Sequence, residues 1–208
     1  KGDSTEEGGK KPELFTFNPT YQYIIMVNLP SNQVQVHIMD LKSRLVSQYT
    51  QEVEIPESDY PSCIQCAADA VVAAMKNFGI IGQQVCGVII CGDGIVDSTH
   101  GVIRYSVHHS WPRNLPILQD FASLLPFPAP IYIENGGALS GYADLLDPEN
   151  QSIHSIIHLS VGQHSGGCVM KDHDLQNGSH GFMSEFGHII VDPHSSLSCI
   201  CGAKGCFE

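Results

Sequence analysis

Three cysteines fall within eight residues near the end of the printed sequence, and a histidine precedes them. The four residues are His188, Cys199, Cys201 and Cys206. Thiolates and a neutral imidazole are ligands that zinc prefers, and four of them complete a structural tetrahedron with no open position for water. Gly202 and Gly205 allow the tight backbone turns that would bring three sulfur atoms together. The segment therefore predicts one structural zinc ion.

Two alternatives to this prediction remain open. The cysteines could form a disulfide or stay as free thiols, and His194 could compete as the histidine ligand. Cys63 and Cys66 also have a C-x-x-C spacing, but they lack a second pair, so we interpret them as ordinary core or helix-surface cysteines. The eight cysteines do not have the even distribution of a small secreted scaffold. A reduced, cytoplasmic protein is expected.

The charge and hydropathy of the chain argue against two classes of partner. Only 10 Lys and Arg residues stand against 22 Asp and Glu in 208 residues, and the net charge is -12 with His neutral. Binding to DNA needs clustered Lys and Arg that displace counterions from phosphates, so it is not expected of this chain. No apolar run reaches the roughly 18 residues that a membrane helix needs, so no membrane association is expected.

Apolar periodicity predicts an α/β chain. Strands are expected at residues 14–17, 23–29, 33–39, 44–55, 85–91, 102–105, 131–134, 155–161, 166–171 and 189–191. Helices are expected at residues 61–78, 115–125 and 138–146. A strand meander is followed by strand–helix units and then by a second meander. This order indicates two related α/β lobes with a cleft between them.

Several motifs of the chain resemble those of the ROK family (repressors, open reading frames and sugar kinases). The resemblance is carried by residues 181–188, which include Glu185 and His188, and by the three cysteines together with Glu208. Residues 133–138, Ile-Glu-Asn-Gly-Gly-Ala, resemble the family's Glu-Asn-Asp-Ala-Asn segment, and residues 160–167 resemble its second glycine-rich phosphate loop. Residues 8–12 and 17–19 resemble the junction that follows the DNA-binding domain in ROK repressors.

The resemblance implies an actin-like, ribonuclease H-like ATPase fold of two lobes with a sugar in the cleft. It assigns residues 1–19 to a linker and short strand that follow an absent DNA-binding domain. Residues 20–128 would form the N-terminal lobe, and residues 129–208 the second lobe with the zinc loop. Family members usually continue after the position of Glu208, so the second lobe is expected to be truncated at its C-terminal side.

The resemblance also implies site residues. Sugar hydroxyls would contact Asn135, Glu185, His188 and Glu208, while zinc would bind His188, Cys199, Cys201 and Cys206. Carboxylate, amide and imidazole groups suit hydroxyls because a hydroxyl both donates and accepts hydrogen bonds. One nitrogen of His188 could bind the metal while the other faces the sugar. The alternatives are solvated surface carboxylates at Glu185 and Glu208 and a turn or helix cap at Asn135.

Three departures from the family pattern argue against a kinase. The family's general base is the Asp of Glu-Asn-Asp, and Gly136 stands at that position. The first phosphate loop, Asp-x-Gly-Gly-Thr in kinases, corresponds to residues 27–32, which contain no glycine and include Pro30. The second loop has Gln163 and His164 where the kinases carry Thr-Gly. No catalytic residue is therefore predicted, and the chain is not expected to be an enzyme.

These observations predict the effector-binding and oligomerisation region of a ROK-type transcriptional regulator with one structural zinc ion. The effector would be a small sugar or sugar phosphate, and a homo-oligomer is expected. DNA would be bound only through a domain that is not in this chain. Two alternatives are a ROK-type sugar kinase with drifted ATP and base motifs, and an interaction scaffold that binds no sugar.

Overall fold

The computed structural model describes residues 15–29, 32–56, 59–150, 152–162, 164–178 and 182–208. Within these ranges the strands are β1 (Tyr23–Asn28), β2 (Gln33–Asp40), β3 (Leu45–Glu52), β4 (Val85–Gly92), β5 (Ile95–Asp97), β6 (Val102–Tyr105), β7 (Ile131–Asn135), β8 (Ser155–Val161), β9 (Ser165–Lys171) and β10 (Asp174–Leu175). The α-helices are α1 (Tyr60–Phe78), α2 (Ile117–Leu124) and α3 (Gly136–Leu146). The strands form one five-stranded, one three-stranded and one two-stranded sheet.

The five-stranded sheet has the order β3-β2-β1-β4-β7. Strands β1, β2 and β3 form an antiparallel meander, whereas β4 lies parallel to both β1 and β7. Alternating side chains of β1 and β2 are buried, which explains the period of two in their sequences. Since β4 and β7 are parallel, their carboxyl ends meet at one edge of the sheet, where Gly92 pairs with Asn135.

Helix α1 covers this sheet with a face of small and branched side chains, of which Ala67 and Val71 are fully buried. The Asp59 side chain caps the helix by accepting a hydrogen bond of 3.1 Å from the backbone N–H of Ser62. The helix ends at Gly79, whose φ of 84° lies in the left-handed region that favours glycine. Local sequence therefore fixes both ends of α1, and burial fixes its orientation.

The three-stranded sheet has the order β10-β9-β8, and α3 packs against it at very short range. A Cβ atom on Gly137 would lie 2.6 Å from the backbone nitrogen of Gly167 in β9. A Cβ atom on Gly141, one helical turn later, would lie 2.1 Å from the sulfur of Cys168. The two glycines therefore allow the helix backbone to lie directly on β9, and the start of α3 is fixed close to the end of β7.

The structure confirms the opening meander and all three predicted helices, with helix ends within two residues of those predicted. The predicted strand at residues 189–191 is wrong, because Ile190 forms only an isolated bridge with Cys206. Residues 15–17 are not a strand either, and residue 14 lies outside the described residues. The short strand β5, which pairs with β6, was not predicted.

The boundary predicted between residues 128 and 129 stays a prediction for the lobes, and it can be compared with the division of the sheets. Strand β7 follows that boundary, yet it pairs with β4 in the five-stranded sheet. The two larger sheets therefore divide after Asn135, at the start of α3, rather than before β7. Among the described helices, none has the length and apolar character needed to cross a membrane.

Candidate functional site

The four predicted metal ligands lie together in the structure. One ligand atom from each of His188, Cys199, Cys201 and Cys206 lies within 4.8 Å of the others, and all four residues are half-buried. Among the described residues this is the one group of His, Cys, Asp and Glu with such spacing. His194 is not part of it, so the competing ligand considered from the sequence is not supported.

The distances inside the cluster fit a tetrahedral metal ion. With Zn–S bonds of about 2.3 Å and Zn–N bonds of about 2.0–2.1 Å, a tetrahedron has S–S edges of about 3.8 Å and S–N edges of about 3.6 Å. The sulfur atoms of Cys201 and Cys206 are 3.7 Å apart, and the sulfur of Cys199 is 3.5 Å from Nδ1 of His188. The same sulfur atoms are too far apart for a disulfide bond of about 2.05 Å.

Residues 199–206, here termed the cysteine loop, fold back on the preceding segment through backbone hydrogen bonds. The N–H of Val191 donates to the carbonyl of Gly205 at 2.8 Å, and the N–H of Phe207 donates to the carbonyl of Ile189 at 2.9 Å. Gly205 has a φ of 72°, and a Cβ atom on it would lie 1.8 Å from the carbonyl oxygen of Asp192. Only glycine fits this position, as the sequence pattern indicated.

The cluster also perturbs its own thiols. Desolvation and the neighbouring sulfur atoms raise the pKa of the Cys206 thiol to about 11. A hydrogen bond from the backbone of Ala203 is the main reason that the pKa of Cys201 is lowered. Thiols so close together cannot all ionise unless a cation balances their charge, so the donor set is one that a divalent metal ion would neutralise.

A cavity of about 330 Å³ lies beside the cysteine loop, and all four predicted sugar contacts line it. Asn135 reaches it from the start of α3, Glu185 and His188 from the segment before the cysteine loop, and Glu208 from the residues after it. The rest of its wall includes the ends of β1, β4 and β7, the segment after β6, and the turn between β8 and β9. Residues far apart in the sequence therefore converge on one space.

Glu208 is held by the turn between β8 and β9. One carboxylate oxygen accepts a hydrogen bond of 2.6 Å from the backbone N–H of Ser165, and the other lies 3.0 Å from Nδ1 of His164. Burial opposes ionisation of Glu208, but the contacts with Ser165 and His164 outweigh it and lower its pKa. The side chain is only 14% exposed, so it is not the solvated surface carboxylate considered as the alternative.

His188 lies between the cluster and the cavity. Its Nδ1 atom faces the sulfur of Cys199, while its Nε2 atom lies 3.9 Å from a carboxylate oxygen of Glu185. Desolvation is the main reason that the pKa of Glu185 is raised, and the negative charge of Asp93 adds to it. One ring nitrogen therefore lies in the cluster, and the other lies on the side of Glu185.

Asn135 lines the cavity and also has a structural role. Its Oδ1 atom accepts a hydrogen bond of 2.8 Å from the N–H of Gly137 and so caps helix α3. Its Nδ2 atom donates to the carbonyl of Gly94 at 2.8 Å. The helix-cap alternative is therefore correct, and the amide retains one N–H that none of the described residues engages.

Four further polar residues of the cavity were not predicted as site residues: Asp93, His108, His109 and Glu134. Burial raises the pKa of Glu134, although its carboxylate accepts a hydrogen bond from the N–H of Asn135. The ring of His108 lies 4.0 Å from that of His164, measured between centroids. A Gly-Asp-Gly sequence directly after the buried strand β4 was a usable signal for Asp93, whereas nothing in the sequence indicated the two histidines.

Two positions at which the sequence departs from the kinase pattern, Asn28 and Gly136, line the cavity. The side chain of Asn28 accepts a hydrogen bond from the N–H of Gln35 and donates to the carbonyl of Gln33, so it supports the turn between β1 and β2. Gly136 adds no side chain to the wall. Pro30 and Gln163, which took part in the comparison with phosphate loops, lie outside the described residues.

A second, larger cavity of about 710 Å³ adjoins the first and shares Val96 and Asn177 with it. It contains none of the predicted site residues. Its basic groups are Arg104, which pairs with Asp97, and Arg113, which lies over the ring of Tyr105. The smaller cavity therefore holds the candidate site, and the larger one is open space next to it.

Known proteins share this sequence pattern and this fold. The model of the ROK family matches residues 25–208. The xylose repressor of Caldicellulosiruptor bescii is 24% identical over 100% of this chain and 51% of its own length. A ROK family transcriptional regulator, a homologue of the E. coli MLC protein, has a TM-score of 0.75 at 18% identity over 91% of this chain and 46% of that structure.

A ROK family glucokinase from Streptomyces griseus, crystallised with glucose and AMPPNP, shares the fold equally well. Its TM-score is 0.75 at 23% identity, and the match covers 88% of this chain and 55% of the glucokinase. The chain thus spans about half the length of these relatives. The α/β fold expected from the sequence is confirmed.

Proposed function

This chain belongs to the ROK family, and from that premise we propose that it is the effector-binding region of a transcriptional regulator that responds to an uncharged sugar. One structural zinc ion is part of the proposal. DNA binding would belong to a domain outside these residues, and homo-oligomerisation stays a prediction. Because the chain spans about half of its relatives, the proposal concerns the part that the effector contacts.

One observation carries the proposal. Asn135, Glu185, His188 and Glu208 come from three segments of the chain, yet they line a single cavity next to the cluster of zinc-type ligands. The hydroxyls of a sugar need several hydrogen-bond partners fixed around one small volume, and carboxylates give the stronger, charge-assisted bonds. A cavity of about 330 Å³ is of the size that small ligands occupy in proteins.

The charges of the cavity favour a neutral ligand over a sugar phosphate. Its described wall contains no Lys or Arg, whereas four carboxylates and four histidines contribute to it: Asp93, Glu134, Glu185, Glu208, His108, His109, His164 and His188. A phosphate would approach carboxylates without a guanidinium or ammonium group to bind it. Of the two effector classes expected from the sequence, we therefore propose the uncharged sugar.

Isothermal titration calorimetry tests this proposal. The titrants are D-xylose, D-glucose, N-acetyl-D-glucosamine and glucose 6-phosphate, with D-xylose first because a relative is named xylose repressor. We expect saturable binding of at least one neutral sugar and none of the phosphate. Flat traces for every neutral sugar would contradict the effector proposal and would favour the interaction scaffold.

The kinase alternative is supported by the relatives that are named kinases. Against it, Gly136 offers no carboxylate to take a proton from the attacking hydroxyl, and Asn28 is engaged with the backbone of β2. We expect no sugar-dependent formation of ADP when the protein is incubated at high concentration with ATP, Mg²⁺ and the sugar that binds best. ADP formation that rises with protein and sugar concentration would restore the kinase.

A further inference from the structure

Asp93 is a carboxylate of the cavity that lies outside the family motifs quoted above. It follows β4 directly, between Gly92 and Gly94, and its side chain is 42% exposed. Gly92 pairs with Asn135 in the parallel register of β4 and β7, so Asp93 and Gly136 occupy corresponding positions just beyond the two strand ends. The carboxyl edge of the sheet therefore presents a carboxylate on the β4 side and no side chain on the α3 side.

The carboxylate of Asp93 makes no hydrogen bond with any of the described residues. The Nε2 atom of His109 lies 3.8 Å from it, which is an ion-pair distance for a protonated ring but too long for a hydrogen bond. Asp93 and Glu185 line the same cavity from opposite parts of the sequence. Asp93 thus has free acceptor capacity that faces the same volume as Glu185 and Glu208.

The residue beside Asp93 is rigidly held. The ring of His109 stacks on that of Trp111 with centroids 3.9 Å apart and an interplanar angle of 5°. Trp111 in turn packs edge-on against Tyr60, whose hydroxyl donates to Asp120 at 2.6 Å. A histidine fixed through this chain of contacts keeps one ring nitrogen near Asp93, and it therefore limits where that carboxylate can lie.

We propose that Asp93 binds the effector directly, accepting hydrogen bonds from sugar hydroxyls at the β4 side of the cavity. This inference rests on the proposed function. Gly136, at the start of α3, has no side chain that could contact a ligand. Asp93 supplies a carboxylate at the corresponding position after β4 instead. The site then selects sugars with a free hydroxyl opposite β4, and it disfavours analogues in which that hydroxyl is removed or carries an anionic group.

Calorimetry with Asp93→Asn and Asp93→Ser tests the inference, with D-xylose and D-glucose as probes. The amide of Asn has nearly the shape of the carboxylate but no charge, so we expect its affinity to fall about tenfold to a hundredfold. Asp69→Asn, on the exposed face of α1, is the matched control and should bind as the unchanged protein does. Thermal unfolding and zinc content should be unaltered in all variants.

Deoxy sugars separate a direct contact from a general disturbance. In the unchanged protein, removal of the hydroxyl that Asp93 binds should weaken affinity, whereas Asp93→Asn should bind the sugar and its deoxy analogue almost equally. If the unchanged protein binds a sugar and Asp93→Asn binds it with the same affinity, the inference is overturned and the proposed function stands. Flat traces for the unchanged protein would overturn both. If Asp93→Asn does not fold, the comparison is made with Asp93→Ser, and the same outcomes apply.

Discussion

The carboxylate of Glu208 accepts a hydrogen bond of 2.6 Å from the backbone N–H of Ser165, and this contact joins the end of the cysteine segment to the turn between β8 and β9. Only Phe207 lies between Cys206 and Glu208, and the N–H of Glu208 donates to the carbonyl of Gly187 at 2.8 Å. The position of one cavity carboxylate thus depends on the fold of the cysteine loop.

The first prediction concerns the metal. Elemental analysis should find one zinc ion per chain, and Cys201→Ser should lower the zinc content and reduce the free energy of unfolding by at least about 2 kcal/mol. Cys86→Ser, a half-buried cysteine of β4 outside the cluster, should retain the zinc. A protein that unfolds identically before and after exhaustive chelation would show that no structural metal is bound.

The second prediction concerns Glu208. The variant Glu208→Gln removes the negative charge that Ser165 and His164 stabilise. Sugar affinity should therefore fall about tenfold or more in calorimetric titrations. Glu149→Gln, at an exposed position away from the cavity, should leave affinity unchanged. Equal affinity of Glu208→Gln and the unchanged protein would remove Glu208 from the proposed site.

The third prediction compares two adjacent glycines at the start of α3. Gly137→Ala should reduce the free energy of unfolding by about 1–3 kcal/mol or more, because its methyl group would overlap the backbone of Gly167. Gly136→Ala should be neutral or slightly stabilising, since its methyl group would meet only the sulfur of Cys91 at 3.3 Å. Denaturant unfolding measures both, and similar losses in the two variants would contradict the packing of α3 on β9.

The fourth prediction is a dependence on pH. The carboxylate of Asp40 is fully buried, and its hydrogen bonds from Arg44 are the main reason that its pKa is lowered. Because the folded pKa lies below the unfolded value, this contribution to stability is present above about pH 4 and is lost as the pH falls through the folded value.

Denaturant unfolding at pH 7, 5, 4 and 3 tests the role of Asp40. Asp40→Asn should be less stable than the unchanged protein at neutral pH, and the difference should shrink below about pH 4. Asp69→Asn, at an exposed position on α1, should show no such convergence. A difference that stays constant over the whole range would mean that the charge of Asp40 does not stabilise the fold.

The sequence was sufficient for features that depend on local pattern. Alternation of apolar side chains predicted β1 and β2, and glycine spacing predicted a turn able to gather three cysteines. The same reasoning failed at residues 189–191. The run Ile-Ile-Val has the composition of a buried strand, but its side chains are more than half exposed and find no extended partner.

Asp93, His109 and the sheet membership of β7 were not predictable in the same way. Each depends on which strands become neighbours, and that pairing joins segments about 40 residues apart in the sequence. The family motifs identified Glu185 and Glu208 because those residues are part of a recurring pattern. The Gly-Asp-Gly sequence could single out Asp93, but its place opposite Gly136 follows only from the pairing of β4 with β7.

Under the proposed function, His188 would link two ligands thermodynamically. One ring nitrogen lies in the sulfur cluster, and the other faces the cavity. A metal ion on the first nitrogen and a sugar hydroxyl on the second would therefore contact the same imidazole. Whatever factor the metal adds to sugar affinity, the sugar must add to metal affinity, because such coupling is reciprocal. If both bind as proposed, zinc retention under chelation would report on sugar occupancy.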